Sequence, residues 1–394
     1  MKNGAYRETA ADGNISIVNT SDPFSLLKKT LFENYTTYHG FRFVGGVVGY
    51  FSYDAVRYIE SIPELAEDDL RLPDLEFCVY DDGIVFDHLT GQAYYFWYDE
   101  NRYEEIERTL AHGAVTEDLH CSEPALNMRK EEFESKVRTA KQYIESGDIF
   151  QTVLSKRYSC SFGGDLITFY RNLREINPSP YMYLIKMKNR VIAGSSPEML
   201  GRVEENRAET FPIAGTRPIG ESETENALLA SELLKDPKEQ AEHVMLTDLA
   251  RNDLGKVCEF GSVHVPEFMT VQRYSHVQHI VSRVSGKLRS DRDSVDMLKA
   301  VFPAGTVSGA PKKRAMEIIE ELEPCRRGPY AGAVGYFSYN GNADFAITIR
   351  TLVAEGERAY IQAGAGIVAD SDPEREWFET EHKTRALLKA LRTE

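Results

Sequence analysis

Two segments with helical periodicity carry carboxylate side chains that could bind a cation. In the segment 238–257, Glu242 shares one helix face with Met245, Leu246 and Leu249. A carboxylate on an apolar face is costly unless it is paired with a basic side chain or binds a metal ion. The pattern is therefore compatible with either a buried ion pair or a metal ligand.

The C-terminal segment offers further carboxylates on a second predicted helix. Residues 371–374, Ser-Asp-Pro-Glu, have the pattern of a capping box with proline in the first turn. Beyond them, Glu376, Glu379 and Lys383 fall on one helix face. This face is either solvent-exposed with a Glu379–Lys383 ion pair, or it holds a cation together with Glu242. Mg²⁺ typically takes one or two carboxylates, with substrate oxygens and water completing its shell.

A glycine-rich stretch and an arginine suggest anion binding nearby. A strand pattern leads into Gly364-Ala365-Gly366 before the last helix, and glycines let a ligand approach free backbone N–H groups. The stretch could also be only a tight turn. A strand pattern over 345–350 ends in Arg350, which could clamp a carboxylate in bidentate fashion or only solubilise an edge strand. Together these features predict a small dicarboxylate substrate activated by Mg²⁺.

The elements that would position these residues come in clusters, without strict alternation of strand and helix. This favours a large α+β fold over a doubly wound sheet. Strands are predicted at 76–86, 92–98, 152–160, 182–194, 345–353 and 359–367, and helices at 24–34, 129–146, 165–175, 224–257, 294–300, 312–321 and 373–392.

Two segments of similar sequence and one polar stretch bear on the chain's organisation. The segments 47–56 (VVGYFSYDAV) and 333–342 (AVGYFSYNGN) resemble each other. This is either a coincidence of strand composition or the sign of two similar sheets that face each other across one core. The stretch 112–128 is polar and lacks periodicity, which predicts a boundary between an N-terminal portion, 1–115, and a portion with the chemistry, 125–394.

Composition limits the classes of partner and compartment. The net charge of −16 argues against a nucleic-acid partner, because such binding draws its affinity from Lys and Arg. No apolar run approaches the roughly 20 residues that span a bilayer, and the first residues lack the apolar core of a signal peptide. The five cysteines form no C-x-x-C pair, as expected for reduced thiols in a cytosol. We therefore expect a cytoplasmic protein that binds neither membranes nor nucleic acid.

Four long motifs resemble those of the chorismate-binding enzymes. They are PIAGTRPIG (212–220), AEHVMLTDLARNDLG (241–255), PAGTVSGAPK (303–312) and QAGAGIVADSDPEREWFET (362–380). The resemblance covers about 130–394 densely and the first hundred residues thinly, through VGYFSYD. It implies an α+β fold with two face-to-face, mainly antiparallel β-sheets flanked by helices. Residues 1–115 would be an incomplete regulatory part of this fold, and 125–394 would bind chorismate and Mg²⁺ in the cleft.

The resemblance also implies roles for individual residues. Glu242 and Glu379 would bind Mg²⁺, with Glu376 nearby through water. Glu198 would be the general acid that protonates the departing C4 hydroxyl, a task that favours a raised pKa. The remaining positions are His279 beside that leaving group, Thr306 and Lys383 as supporting contacts, Gly215, Thr216, Gly364, Ala365 and Gly366 as backbone contacts to the substrate, and Tyr330 and Arg350 as the clamp on the enolpyruvyl carboxylate.

Two positions distinguish activities within the family. Members that add water carry Lys where this chain has Gln151, so ammonia is the expected nucleophile. Members that form aminodeoxychorismate typically carry Lys where this chain has Ala214. The resemblance thus implies an anthranilate-forming lyase, which adds ammonia at C2, loses the C4 hydroxyl and eliminates pyruvate. The alternatives are an aminodeoxychorismate-forming member, an isochorismate- or salicylate-forming member, and a non-catalytic binding or regulatory relic. Intact Glu198, Glu242 and Arg350 count against the relic.

Partners and effectors follow from the same resemblance. No cysteine lies in a Gly-rich nucleophile turn, so a separate glutamine amidotransferase would supply the ammonia, within a hetero-oligomer. The motif NPSPYMY (177–183) resembles half of the family's tryptophan-feedback site, which makes Pro180, Tyr181 and Met182 candidate contacts to L-tryptophan. It could instead be a Pro-rich turn before a strand. The Leu-Leu-Glu-Ser half of that site is not in the sequence. We therefore expect either a truncated start or weak tryptophan inhibition.

Overall fold

The structure is a computed structural model, which describes residues 1–10, 15–113, 116–274 and 277–392. The helices are α1 Pro23–Glu33, α2 Tyr103–His112, α3 Lys130–Glu145, α4 Leu166–Ile176, α5 Glu223–Lys235, α6 Pro237–Gly255, α7 Ser294–Val301, α8 Lys312–Leu322 and α9 Pro373–Leu391. Short 3₁₀ helices lie at Tyr53–Tyr58 and Gly305–Val307. No helix in these ranges is long and apolar enough to cross a membrane.

The strands come in clusters between these helices. They are β1 Ala5–Thr9, β2 Ile15–Asn19, β3 Gly46–Phe51, β4 Leu75–Tyr80, β5 Asp82–Asp87, β6 Gln92–Trp97, β7 His120–Cys121, β8 Ala125–Leu126, β9 Gln151–Gly163, β10 Tyr181–Met187, β11 Arg190–Ser196, β12 Met199–Glu204, β13 Arg207–Thr210, β14 Ile213–Pro218, β15 His264–Arg273, β16 Val277–Lys287, β17 Gly309–Ala310, β18 Ala333–Ser338, β19 Ala343–Ile347, β20 Thr351–Glu355 and β21 Arg358–Ile367.

Two large antiparallel sheets form the body of the fold. One has the order β10-β11-β20-β21-β9-β17, with β7 and β8 also paired to β9. The other has the order β14-β16-β13-β12-β19-β18-β3-β4, with β15 on β16. A buried cluster joins their faces, because Ile192 and Val353 of the first sheet pack with Tyr50, Val334 and Ala346 of the second. The predicted α+β fold with two face-to-face antiparallel sheets is confirmed.

The two similar segments are neighbours in one sheet, which corrects the idea that each belongs to a different sheet. β3 pairs with β18 in antiparallel register, and Gly49 lies opposite Gly335. A Cβ on Gly49 would overlap the carbonyl of Glu76, and one on Gly335 would overlap that of Asp344. The two glycines therefore permit close strand packing on both sides of the pair.

The N-terminal residues belong to the same sheet as the C-terminal ones. β3 and β4 complete the nine-stranded sheet, and Phe51 packs in one core with Phe337 and Phe345. The division into 1–115 and 125–394 stays a prediction, and residue 115 itself lies outside the described residues.

Most predicted helices agree with the structure to within one residue at each end, but four predicted elements are interrupted. The helix predicted over 224–257 is two helices, because Asp236 caps the second and Pro237 begins it. The strands predicted over 76–86 and 182–194 are each a pair of strands. The strand predicted over 345–353 breaks between Ile347 and Thr351.

Candidate active site

The carboxylates predicted to bind a cation come from two helices that approach the start of β9. Glu242 on α6 accepts a hydrogen bond from Nε2 of Gln151 at 3.1 Å. Burial raises the pKa of Glu242, and the carboxylates of Glu239 and Glu379 raise it further. Burial likewise raises the pKa of Glu376, on α9, against a hydrogen bond from Ser371. The fold thus gathers acidic groups that repel one another near Gln151.

The donor chemistry of these carboxylates fits a magnesium ion. The Oε2 atom of Glu376 is buried and has no hydrogen-bond partner among the described residues. No set of three or more His, Cys, Asp or Glu within those residues would by itself enclose a metal ion. Mg²⁺ does not need such a set, because it usually keeps several water molecules and is held by one or two carboxylates. Whether these residues bind it stays a prediction.

Glu198 and Thr306 both line one small cavity of about 40 Å³. Glu198 lies in the turn between β11 and β12, where burial raises its pKa to about 8. The Thr306 hydroxyl lies beside the carboxyl and, like the charge of Lys383, acts in the opposite direction. Burial outweighs both effects, so the carboxyl is mainly protonated at neutral pH and can act as an acid.

A backbone contact sets the tautomer of the neutral His279 ring, on β16. Its Nδ1 donates to the carbonyl of Gly215 at 2.7 Å and lies 3.1 Å from the Thr216 hydroxyl. Because a neutral imidazole has one donor and one acceptor, this bond leaves Nε2 as the acceptor. Burial lowers the pKa of His279, and the charges of Arg350 and Lys383 lower it further.

Arg350 lies in the break between β19 and β20, which corrects its predicted place at the end of a strand. Its backbone has a φ of 51°, a left-handed conformation that strand alternation does not produce. Burial lowers the pKa of its guanidinium, whereas Tyr330 and Glu379 raise it. The described residues include no salt-bridge partner for this side chain. A desolvated cation of this kind is suited to an anionic ligand.

The predicted glycine contacts lie inside β21 rather than in a turn after it. The ladder with β20 ends at Ile361, so beyond that residue β21 is paired with β9 alone. Gly364 and Gly366 are opposite Ser155 and Val153, whose N–H groups donate to Glu323 and Ser308 instead of to β21. When one residue of an antiparallel pair points its N–H away from the partner strand, the residue opposite does the same. The N–H groups of Gly364 and Gly366 therefore point away from β9, toward the open edge of β21.

Ala365 faces the other way. Its side chain is fully buried among α3 and α9. Because successive residues of a strand point their N–H groups to opposite edges, the N–H of Ala365 points toward β9. Only Gly364 and Gly366 therefore offer their N–H groups to the open edge. Tyr330 borders the same place, since a Cβ on Gly364 would lie 2.8 Å from its hydroxyl. Gly215 has a φ of 67° and packs against Glu239, which requires glycine there.

Pro180, Tyr181 and Met182 line a separate cavity between the two sheets, with a volume of about 860 Å³. The Tyr181 hydroxyl donates to Asp344 at 2.8 Å, and Asp344 also pairs with Arg202 at 2.9 Å. The cavity is thus lined by aromatic side chains around one ion pair.

Sequence reasoning missed Tyr274, which joins this cavity to the active site. Tyr274 lines the cavity, and its ring packs edge-on against His279 with 5.5 Å between centroids. Burial raises the pKa of Tyr274, and the carboxylate form of Glu198 raises it further. An aromatic residue in an irregular stretch carries no signal of this role in the sequence.

Comparisons with known proteins identify the family of this chain. Residues 3–389 match the model of the chorismate binding enzymes, so the chain belongs to that family. It is 56% identical over 349 residues to anthranilate synthase component 1 of Methanothermobacter marburgensis, covering 89% of this chain and 75% of the relative. It is 51% identical to the protein of the same name from Methanothermobacter thermautotrophicus, over 98% of this chain and 82% of the relative.

A solved structure gives the same result for the fold. Anthranilate synthase component I from Streptococcus pneumoniae superposes with a TM-score of 0.85 and 37% identity. The match covers 97% of this chain and 91% of that one. The predicted fold of two face-to-face sheets flanked by helices is therefore the fold of this family.

Proposed function

We propose that this chain is the chorismate-converting component of an anthranilate synthase, a Mg²⁺-dependent lyase that forms anthranilate and pyruvate from chorismate and ammonia. The observation that carries the proposal is Gln151, a neutral side chain buried beside Glu242 in a chain about half identical to relatives of that name. A lysine in that place could activate water, whereas an amide cannot.

The proposed metal ligands are Glu242 and Glu379, with Glu376 held through water. Their mutual repulsion and the unpartnered Oε2 of Glu376 support a cation here. When bound, Mg²⁺ would act as a Lewis acid toward the ring carboxylate of chorismate. The role of the protein is to keep these carboxylates close together, with Lys383 paired to Glu379 at 2.7 Å.

The second carboxylate of chorismate, on the enolpyruvyl group, is proposed to bind Arg350 and Tyr330. Arg350 supplies a desolvated guanidinium with no competing ion pair among the described residues. The N–H groups of Gly364 and Gly366 add donors at the open edge of β21. Gly215 and Thr216 would contact the substrate from β14, where they already hold His279.

The acid for the departing C4 hydroxyl is proposed to be Glu198. A pKa of about 8 keeps its proton available at neutral pH. Thr306 lies beside the carboxyl, and the Nε2 of a neutral His279 is free to accept a hydrogen bond from the leaving hydroxyl. Lys383 reaches the carbonyl of Gly364 at 2.9 Å and supports the strand that borders the substrate.

Ammonia would enter beside Gln151. The Nε2 of Gln151 donates to Glu242, and this hydrogen bond orients the amide. The Oε1 of Gln151 is then buried without a partner in the described residues. A carbonyl oxygen in that position can accept a hydrogen bond from ammonia. Ala214, which is buried, has no nucleophile with which to capture the ring. These two residues oppose the isochorismate- or salicylate-forming and the aminodeoxychorismate-forming alternatives, respectively.

The source of ammonia is proposed to be a separate glutamine amidotransferase in a cytoplasmic hetero-oligomer. The cavity around Pro180, Tyr181 and Met182 is the proposed place for an L-tryptophan effector, since it is lined by aromatic side chains and touches the active site through Tyr274.

The proposed reaction is tested by incubating the purified chain with chorismate, Mg²⁺ and ammonium at alkaline pH, with products identified by mass. Anthranilate together with pyruvate is expected, and a chelator should stop the reaction. Aminodeoxychorismate or isochorismate as the main product would overturn the assignment from Ala214 or Gln151. No turnover, even with an amidotransferase and glutamine added, would favour the non-catalytic relic.

A further inference from the structure

Arg327, between α8 and β18, forms an ion pair deep inside the fold. Its side chain is 1% exposed and that of Glu323 is 4% exposed. Nε and one terminal nitrogen donate to the two oxygens of Glu323, at 2.9 Å and 2.7 Å. A buried pair of this kind is weak evidence for a stabilising role, because desolvation offsets much of the attraction. Its remaining contacts are therefore more informative.

The rest of the guanidinium donates to two backbone carbonyls that border the active site. One terminal nitrogen donates to Val307 at 2.7 Å, and the other donates to Val153 at 2.7 Å. Val307 directly follows Thr306, which lies beside the acid Glu198. Val153 pairs with Gly366 across the β9–β21 ladder. One planar cation thus joins the Thr306 segment to the strand behind the substrate-facing glycines.

The same group also contacts the substrate clamp and the next pair of the ladder. The guanidinium carbon lies 5.7 Å from the ring centroid of Tyr330 and 4.6 Å from that of Tyr53. Glu323 accepts hydrogen bonds from both the N–H and the hydroxyl of Ser155, each at 2.8 Å. Ser155 is the residue opposite Gly364. The ion pair therefore reaches three segments that border the substrate from the side away from it.

We propose that Arg327 is a positioning residue that holds Thr306, Tyr330 and the Gly364–Gly366 strand in one fixed arrangement. It touches neither substrate nor metal and acts through these segments. The inference rests on the proposed function, because it assigns Thr306 and Tyr330 to the chorismate site. Only an arginine offers a planar fork that can bind a carboxylate and two divergent carbonyls together, and lysine cannot reproduce it.

The test compares Arg327→Lys with Arg57→Lys. Arg57 is also a largely buried arginine that pairs with a glutamate of α8, Glu320, at 2.8 Å. Among the described residues its other hydrogen bonds go to Pro63 and Asp54, outside the segments assigned to the substrate. Each variant is also combined with Thr306→Val, and kcat and KM for chorismate are measured for all of them with Mg²⁺ and ammonium. Melting temperatures report any loss of folding.

We expect Arg327→Lys to lower kcat/KM roughly tenfold or more, as expected for losing a hydrogen bond in a pre-organised site. Arg57→Lys should lower it less than about twofold, at a similar cost in melting temperature. Because Arg327 acts through Thr306, the fold-loss of kcat/KM in the Arg327→Lys, Thr306→Val double variant should be clearly smaller than the product of the two single fold-losses. The Arg57→Lys, Thr306→Val double variant should show the full product.

The outcomes separate the inference from the proposed function. A wild-type chain that does not convert chorismate overturns the proposed function and this inference with it. If the wild-type chain converts chorismate but the fold-losses of kcat/KM from Arg327→Lys and Thr306→Val multiply in the double variant, only the positioning role is overturned. If Arg327→Lys fails to fold, the paired apolar variant Arg327→Met with Glu323→Leu, which leaves no unpaired charge, enters the same cycle.

Discussion

The ammonium group of Lys383 lies 2.7 Å from the carboxylate of Glu379 and donates to the carbonyl of Gly364 at 2.9 Å. Helical spacing gave this ion pair as one of two alternatives, the other being a cation site shared with Glu242, and it did not predict the contact to the glycine strand. One side chain therefore joins a proposed metal ligand to a strand that borders the substrate. A metal ion bound at Glu379 would share this carboxylate with Lys383, so the proposed metal site would be coupled to the strand through this side chain.

Replacing Glu379 should abolish turnover without unfolding the protein. Its side chain is 44% exposed, and a surface ion pair contributes at most about 1 kcal/mol to stability. Losing a metal ligand should cost several kcal/mol in the reaction, so we expect at least roughly a hundredfold lower activity in Glu379→Gln. The measurements are initial rate against Mg²⁺ concentration and melting by circular dichroism.

Glu374→Gln is the matched control for this change. Glu374 lies on the same helix, has a side chain that is 63% exposed and pairs with Lys130 of α3. Its variant should keep both activity and Mg²⁺ dependence. Wild-type turnover in Glu379→Gln would remove that residue from the metal site.

Arg350→Ala should mainly weaken the binding of chorismate. A buried charge that pairs with a substrate carboxylate is expected to contribute about 2–4 kcal/mol, so KM should rise strongly. Arg358→Ala, at the exposed start of β21, removes an equal charge from the neighbouring strand and should leave KM unchanged. Steady-state kinetics with varied chorismate tests both variants, and an unchanged KM in Arg350→Ala would rule out the clamp.

The pH dependence of activity should follow the protonation of Glu198. An acid with a pKa of about 8 is competent below that pH and loses its proton above it. With free ammonia held constant, kcat should therefore be level below about pH 8 and fall at higher pH. Glu198→Gln should lower kcat by roughly 10²–10⁴-fold, whereas Glu204→Gln, an exposed carboxylate paired with Arg42, should not. A rate that keeps rising above pH 8 would exclude Glu198 as the acid.

His243 should make the fold less stable in mild acid. It is fully buried on α6 and lies 2.6 Å from the hydroxyl of Ser282, and burial lowers its pKa from 6.5 to about 4. The unfolded chain therefore binds the proton more tightly, so the free energy of unfolding falls as pH drops from about 6.5 toward 4.

Urea unfolding at pH 7 and pH 5 measures this effect. His243→Gln cannot take up the proton, so its free energy of unfolding should change less between the two pH values than that of the wild type. His264→Gln, which replaces an exposed histidine on β15, should retain the wild-type difference. An equal loss in all three proteins would show that other groups cause the acid sensitivity.

Local pattern was sufficient for the helices and for the residue types of the site. Periodicity located α3, α4 and α9 to within one residue at each end, and helical spacing placed Glu376, Glu379 and Lys383 on one face. These features depend on neighbours within about two turns of chain, which the sequence displays directly. The Gly364–Gly366 stretch and Arg350 were also recognisable as candidates for anion binding, and that role stays a prediction.

Pairing between distant segments could not be read in the same way. The β3–β18 pair joins segments almost 290 residues apart, and similar composition alone did not say whether they share a sheet. The break that turns Arg350 inward is a backbone conformation that strand alternation does not predict. Strand register and turns over such separations are decided by the packing of the whole core.

The sequence by itself determined which functional groups the protein possesses and which helix faces present them. Tertiary structure decided which of those groups meet. Gln151 reaches Glu242 across 91 positions of chain, and Arg327 reaches Val153 across 174. The second contact has no sequence signature, because its acceptor is a main-chain carbonyl that every residue carries. A buried charge needs hydrogen-bond acceptors around it, and any main-chain carbonyl can serve. Only the assembled sheets and helices determine which carbonyls lie within hydrogen-bond distance of Arg327.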